Sequence, residues 1–179
     1  MREELKKGVD IESSGDYGFT PLICAASKGR VAAARFLIEQ KAVVDKATQF
    51  GVTPLHIAAN QGNIEVLSLL LDHGAELNRR TRAGECALHL ALQNPQPQSV
   101  KFLLERKADA TLVSTASRWA GTPLHEIARQ KGMDECASLL GFATTAAPPP
   151  APPAPRIVFD FRLEPTDTAA APAVDSATV

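Results

Sequence analysis

The sequence predicts an all-α fold, a solenoid of stacked helix-turn-helix units with β-hairpin or turn connections, followed by a disordered C-terminal tail. The first observation is a motif that occurs four times: Thr20-Pro21-Leu22-Ile23, Thr53-Pro54-Leu55-His56, Cys86-Ala87-Leu88-His89 and Thr122-Pro123-Leu124-His125. Pro21, Pro54 and Ala87 are equally spaced, and Pro123 comes three positions later than the same spacing would place it. A fixed period of about 33 residues is typical of one supersecondary unit stacked on itself.

A second landmark keeps the same period. Gly8, Lys41, Gly74 and Lys107 follow one another at that same interval. Glycine at the end of a helix adopts a left-handed backbone without strain, whereas lysine there costs on the order of 1 kcal/mol. We therefore expect two weakened turns, at Lys41 and Lys107.

Each motif also predicts the start of a helix. Threonine is a preferred N-cap, and proline suits the first helical position because no amide hydrogen is needed there. In the second unit, Leu55, Ala58 and Ala59 recur at i, i+3 and i+4, and a second apolar cluster at 66–71 follows the break at Gly62. One such pair of helices cannot bury its apolar face alone, so neighbouring pairs must share a core.

These residues resemble the ankyrin repeat family, whose 33-residue unit joins a β-turn to two helices and carries a T-P-L-H-x-A pattern. The resemblance covers about residues 1–142 and is closest from Gly51 to Asn78. It divides the array into a half repeat and four repeats, with these approximate bounds: 1–12, 13–46, 47–79, 80–113 and 114–142. In the third repeat Cys86-Ala87 replaces the Thr-Pro cap. In the fourth, one extra residue between His125 and Gly132 leaves the inner packing register open.

Residues 143–179 are expected to form an Ala- and Pro-rich flexible tail. Six prolines occupy eight positions at 148–155, which predicts an extended spacer. A candidate short motif at 156–164 contains alternating apolar residues. It would either dock on the sheet edge of another protein or fold back over the last repeat.

Composition excludes several classes of function. The 179 residues are 45% hydrophobic and 22% charged with a net charge of −1, as expected for a soluble chain. No stretch approaches the roughly 20 apolar residues that span a bilayer, so we expect no membrane insertion. Nucleic-acid binding would call for a basic face, which a balanced charge disfavours. We expect a monomer with a protein partner.

The three cysteines, Cys24, Cys86 and Cys136, are odd in number and lack the short spacing of a metal site. We interpret them as reduced thiols used for packing, which predicts a cytoplasmic or nuclear location.

Catalysis has no support in the sequence. No nucleophile stands in a recognisable pattern beside a base, and there is no Gly-rich phosphate loop. His56, His89 and His125 recur at one place in their units, and the resemblance implies that they hydrogen-bond the turn to the helix. We therefore predict a protein that is not an enzyme and has no catalytic, metal-binding or cofactor-binding residues.

The resemblance implies that partners contact the turn tips and the outward-facing residues late in each first helix. In this chain those positions include Tyr17, Phe19, Lys28, Phe50, Val52, Gln61, Arg80, Arg82, Arg118, Trp119 and Arg129. Aromatic and arginine side chains are the usual anchors of interfaces. They predict a groove for a segment that is partly apolar and partly acidic. Alternatively, Phe19 and Phe50 pack on adjoining turns and only stiffen them.

Asn78 lies in a context similar to that of ankyrin asparagines that a dioxygenase hydroxylates. The alternative is a turn residue, since asparagine also favours turns.

The predicted function is a non-catalytic protein–protein interaction module or adaptor that binds through its turn tips and concave helical face. The alternative is a regulatory ankyrin fragment of a larger enzyme or channel. The fold does not identify the partner.

Overall fold

The computed structural model describes residues 11–115 and 119–140. The first ten residues of the predicted half repeat, Arg118 and the whole predicted tail with its 156–164 motif lie outside these ranges. Within them the chain forms eight α-helices and one short 3-10 turn at Asp16–Gly18, and no strand is present. The helices are α1 (Pro21–Ser27), α2 (Val31–Glu39), α3 (Pro54–Gln61), α4 (Ile64–Asp72), α5 (Ala87–Gln93), α6 (Pro97–Glu105), α7 (Leu124–Gln130) and α8 (Asp134–Leu139).

The helices stack in two layers, as the period predicts. The first helices α1, α3, α5 and α7 pack side by side, and the second helices α2, α4, α6 and α8 pack in the same order. One hydrophobic core runs through all four pairs. One fully buried leucine of this core recurs at the same position of each first helix: Leu22, Leu55, Leu88 and Leu124. The predicted all-α solenoid is therefore confirmed for the part of the chain that the structure describes.

Two of the three predicted threonine caps are confirmed. Thr20 accepts a hydrogen bond from the Ile23 N–H, and Thr53 accepts one from the His56 N–H. The prediction for Thr122 is wrong, because α7 begins one residue later, after an extended Pro123 with φ −63° and ψ 146°.

The physical reason lies in the connection before α7, which is three residues longer than the others. This connection ends in a turn where the Thr122 N–H donates to the Trp119 carbonyl at 2.9 Å. In the second unit the Thr53 N–H instead donates to the His56 ring at 3.2 Å.

The fourth unit keeps the inner packing register that the sequence leaves open. Leu124, Ile127 and Ala128 are buried at i, i+3 and i+4, the spacing of the motif leucine and the two alanines in α3. The extra residue is therefore accommodated after Ala128, in the polar stretch Arg129-Gln130-Lys131 that precedes Gly132.

The predicted strained turns are present. Lys41 has φ 71° and Lys107 has φ 65°, in the left-handed region that Gly74 occupies with φ 85°. The chain keeps this backbone because the next amide hydrogen closes the helix end. The Ala42 N–H donates to Leu37, and the Ala75 and Ala108 N–H groups make the equivalent bond.

Candidate protein-binding surface

The turns between units form a continuous row at one edge of the stack. Backbone hydrogen bonds close them, from Thr48 N–H to Val52 C=O at 2.9 Å and from Thr81 N–H to Glu85 C=O at 2.8 Å. The Thr48 hydroxyl also accepts the Val52 N–H at 3.2 Å. We call residues 15–19, 48–52 and 81–85 the tip row.

Neighbouring turns are also bonded to one another. The Gln49 N–H donates to the Tyr17 carbonyl, and the Arg82 N–H donates to the Phe50 carbonyl, both at 2.9 Å. Gly51 permits this close approach, since a Cβ there would lie 3.0 Å from the Arg82 nitrogen and its φ is 76°. The tip row is thus held in register before any partner arrives.

Two aromatic rings stack on the outside of the tip row. Tyr17 is 58% exposed and Phe50 is 40% exposed, and their ring centroids lie 6.0 Å apart with an interplanar angle of 29°. Phe50 therefore packs on the adjoining turn and still presents its ring to solvent, so contact between Phe50 and a partner stays a prediction. Phe19 and Val52 are partly buried.

The predicted cations divide into exposed and braced side chains. Lys28, Arg82 and Arg129 are exposed. Arg80 is exposed as well, but its Nε donates to the Gly84 carbonyl at 2.9 Å and its guanidinium also bonds the Val113 carbonyl. We conclude that Arg80 braces the third turn against the fourth. Gln61 is partly buried, and its amide donates to Asn60.

The expected exposure of Trp119 is wrong. Trp119 is only 7% exposed and belongs to the hydrophobic core. A tryptophan side chain gains more from burial than most others because of its large apolar area, and the longer connection before α7 lets it turn inward. Trp119 therefore offers almost no surface to a partner.

Asn78 makes a hydrogen bond to the next unit, and the same bond recurs between the preceding units. Its Oδ1 accepts the Asp109 N–H at 3.0 Å. Glu12 and Asp45 occupy the same position in the two preceding units, and they accept the N–H groups of residues 43 and 76 at 2.7 and 2.9 Å. These contacts support the interpretation of Asn78 as a turn residue, and its hydroxylation stays a prediction.

His56 ties its turn to the helix, as expected. Its Nδ1 accepts the Thr53 N–H at 3.2 Å, and its Nε2–H donates to the Arg79 carbonyl at 3.0 Å. His89 likewise accepts the Cys86 N–H at 3.3 Å, but its Nε2 has no hydrogen-bond partner within the described residues. Burial lowers the pKa of both imidazoles to about 4, so both are neutral at pH 7.

One nucleophile does lie beside a base, contrary to the prediction from the sequence. The Cys86 Sγ is 3.1 Å from Nδ1 of His89. Both residues are buried, however, and burial raises the pKa of the Cys86 thiol. A neutral thiol next to a neutral imidazole, closed off from solvent, lacks the thiolate and the access that catalysis requires. The pair has a packing and capping role.

The described ranges contain no group of three or more His, Cys, Asp or Glu side chains placed to hold a metal ion. None of the helices in these ranges combines the length and apolar character needed to cross a bilayer.

The bracing of two turns by Arg80 is not among the predictions from the sequence, although the repeat period indicates it. Its partner Val113 lies one full repeat later in the chain. Other contacts between units join residues separated by nearly one period, such as Asn94 to the Asn60 carbonyl at 2.8 Å. Polar residues one period apart are therefore candidates for bonds between units.

Comparison with known proteins agrees with this architecture. A family model described as ankyrin repeats (3 copies) matches residues 41–114, and one described as ankyrin repeats (many copies) matches residues 4–38. The fourth helix pair, α7 and α8, lies beyond both matches. A comparison with curated proteins gave no match.

Proposed function

Because this chain belongs to the ankyrin repeat family, whose repeats generally serve as protein–protein interaction modules, we propose that it is a non-catalytic adaptor that binds its partner through the tip row. The observation that carries this proposal is the exposed stack of Tyr17 and Phe50 beside Arg82. The proposal includes a protein rather than a nucleic-acid partner, a monomeric state, no catalytic activity and a cytoplasmic or nuclear location.

The stacked rings favour binding because their position is already fixed. Two backbone hydrogen bonds join the three turns, so little conformational entropy is lost when a partner settles on them. A partner's apolar side chain would cover ring surface that now faces water. Buried aromatic anchors of this kind usually dominate the energy of an interface.

The charges on the tip row give the bound segment a direction. Arg82 is exposed on the third turn, whereas Asp16 is exposed beside Tyr17 on the first. An acidic group of the partner is therefore favoured near Arg82 and disfavoured near Tyr17. Lys28 and Arg129, exposed at the ends of α1 and α7, extend the same preference along the first helices. We propose a partner segment that places an apolar side chain on the rings and a carboxylate at Arg82.

The test is selection of peptides from a displayed random library on the intact protein. We expect enrichment of peptides that carry an apolar residue and an acidic residue a few positions apart. The double variant Phe50→Ala, Arg82→Ala should weaken the selected peptides at least tenfold, and its circular dichroism spectrum should be unchanged.

A matched control removes one apolar side chain and one arginine elsewhere. Val43 and Arg35 are both exposed and lie outside the tip row. The double variant Val43→Ala, Arg35→Ala should bind the selected peptides as the unaltered chain does. Equal affinity of the unaltered chain and the Phe50, Arg82 variant would show that the binding surface lies elsewhere.

A further inference from the structure

The last described helix pair has a side that no other described unit covers. Helices α7 and α8 pack against α5 and α6, and no further helix follows within the described part of the chain. Leu139 is 53% exposed, whereas Leu69, at the same position of the second unit, is 5% exposed. Pro123 is exposed and its counterpart Pro54 is buried. We call this uncovered side of α7 and α8 the end face.

The position of Leu139 is apolar in every unit. Phe36 and Phe102 occupy it in the first and third units, and both are partly buried. Solenoid proteins protect their terminal faces with a polar surface or with a covering segment, because each internal face is otherwise buried by a neighbour. Leu139 leaves an apolar position of this face exposed, so the end face is suited to a cover.

The chain itself supplies a segment with suitable chemistry. It continues beyond Leu140 as far as Val179. Five of the seven residues at 157–163 are large and apolar, in the order Ile157-Val158-Phe159-Asp160-Phe161-Arg162-Leu163. From 164 to 179 the sequence consists mainly of Ala, Thr, Pro and acidic residues, with valine as its only large apolar residue type.

The connection is long enough for this segment to reach the end face. Sixteen residues, 141–156, separate Leu140 from Ile157. At about 3.1 Å per residue they span up to about 50 Å when extended, and a pair of packed helices is only about 20 Å wide. A tether of this length holds the segment at a local concentration in the millimolar range, so even a weak contact would be populated.

We propose that residues 157–163 pack on the end face and cap the array, with Phe159 and Phe161 against Leu139. The proposed contact involves no residue of the tip row, so this proposal can be tested independently of the proposed binding function. It assigns the segment after the proline run to stabilising the last repeat. A partner protein at the end face is the competing occupant.

The test is a set of full-length variants compared by thermal unfolding. They are Phe159→Ala with Phe161→Ala, Leu139→Ala, and the three changes together. We expect the tail pair to lower the melting temperature by about 3 °C, in line with the usual size of such shifts for a chain of this length. The melting temperature of the triple variant should be no lower than that of the less stable of the other two variants. The reason is that all three changes remove the same contact, between the two phenylalanines and Leu139.

Val43→Ala provides the matched control. Val43 is 52% exposed, close to the value for Leu139, and lies in the first unit. The decrease in melting temperature caused by Val43→Ala should add in full to the decrease caused by Phe159→Ala with Phe161→Ala. Hydrogen exchange should also become faster at residues 134–140 in the tail variant and stay the same at 31–39.

An unchanged melting temperature and unchanged exchange at 134–140 in the tail variant would overturn the proposal. Full additivity between Leu139→Ala and the tail pair would overturn it as well, because the segment would then pack elsewhere or bind a partner.

Discussion

The Sγ atom of Cys86 lies 3.1 Å from Nδ1 of His89, in the place where Thr53 sets its hydroxyl oxygen 2.8 Å from Nδ1 of His56. The two units thus build the same connection between turn and helix, one with a weak hydrogen-bonding thiol and the other with a hydroxyl. The third unit keeps the geometry with a poorer cap.

Cys86→Thr is therefore expected to stabilise the protein by about 1 kcal/mol, the usual gain from a hydroxyl N-cap. Chemical unfolding of the purified variant measures this directly. Cys86→Val, which has the shape of threonine without the hydroxyl, is the control and should show no such gain. Equal stability of the Thr and Val variants would show that capping is not the limiting feature of this unit.

Lys41→Gly and Lys107→Gly are each expected to raise the melting temperature. Both lysines hold a left-handed backbone, and glycine removes a cost of about 1 kcal/mol at such a position. The reverse change, Gly74→Lys, should lower the melting temperature by a similar amount. A melting temperature that stays the same or falls in both Lys→Gly variants would contradict this account of the turns.

Acid is expected to destabilise the fold between about pH 6.5 and pH 4. Burial lowers the pKa of His56 and His89 from 6.5 to about 4. A lowered imidazole pKa means that the stabilisation is complete above pH 6.5, where both states are neutral, and is lost as the pH falls toward 4 because the unfolded chain binds protons first. Each histidine contributes a loss of roughly 3 kcal/mol at most.

The measurement is the free energy of unfolding as a function of pH, compared with the double variant His56→Gln, His89→Gln. The variant is expected to be less stable at pH 7 but to lose less stability between pH 6.5 and pH 4. The same pH dependence in both proteins would place the acid sensitivity on other groups.

Ser99→Val is expected to raise stability by about 1 kcal/mol. The Ser99 hydroxyl is buried without a hydrogen-bond partner among the described residues, and Val66 occupies the same position of the previous repeat. An unpaired buried hydroxyl costs about 1–3 kcal/mol. Ser114, also buried, donates to the Ala83 carbonyl at 3.2 Å, so Ser114→Ala should instead destabilise. A loss of stability in Ser99→Val would reveal a bond or a packing constraint at that hydroxyl.

Asn78→Ala is expected to lower stability by about 1 kcal/mol through loss of the bond to the Asp109 N–H. Asn78→Asp keeps an acceptor oxygen, as Asp45 does one repeat earlier, and should retain most of the stability. Equal unfolding energies for the Ala and Asp variants would contradict the structural role. Mass spectrometry of native material tests the separate prediction of hydroxylation, which adds one oxygen to the peptide that contains Asn78.

Much of the fold follows from features within one period of the sequence. Thr20 and Thr53 act as caps, and Lys41 adopts the left-handed turn, because these features depend on a few adjacent residues. The burial of Trp119 was not predictable in this way. It depends on how a connection with three extra residues folds against the core, and no local pattern specifies that path.

The sequence predicts which residues lie on the turns but not how those residues contact one another. The repeat placed Tyr17 and Phe50 on successive turns, and only the structure shows that their rings stack. Arg80 is one of the predicted contact residues because its position in a turn predicts an exposed side chain. Its bond to Val113 depends on the arrangement of two units in space.

Backbone amide NMR of the full chain shows whether partners bind at the tip row. A selected peptide carrying an apolar and an acidic residue is titrated into the isotope-labelled protein. We expect the largest chemical-shift changes at residues 15–19, 48–52 and 81–85. Changes confined to the second helices, α2, α4 and α6, with the tip row unaffected would contradict it.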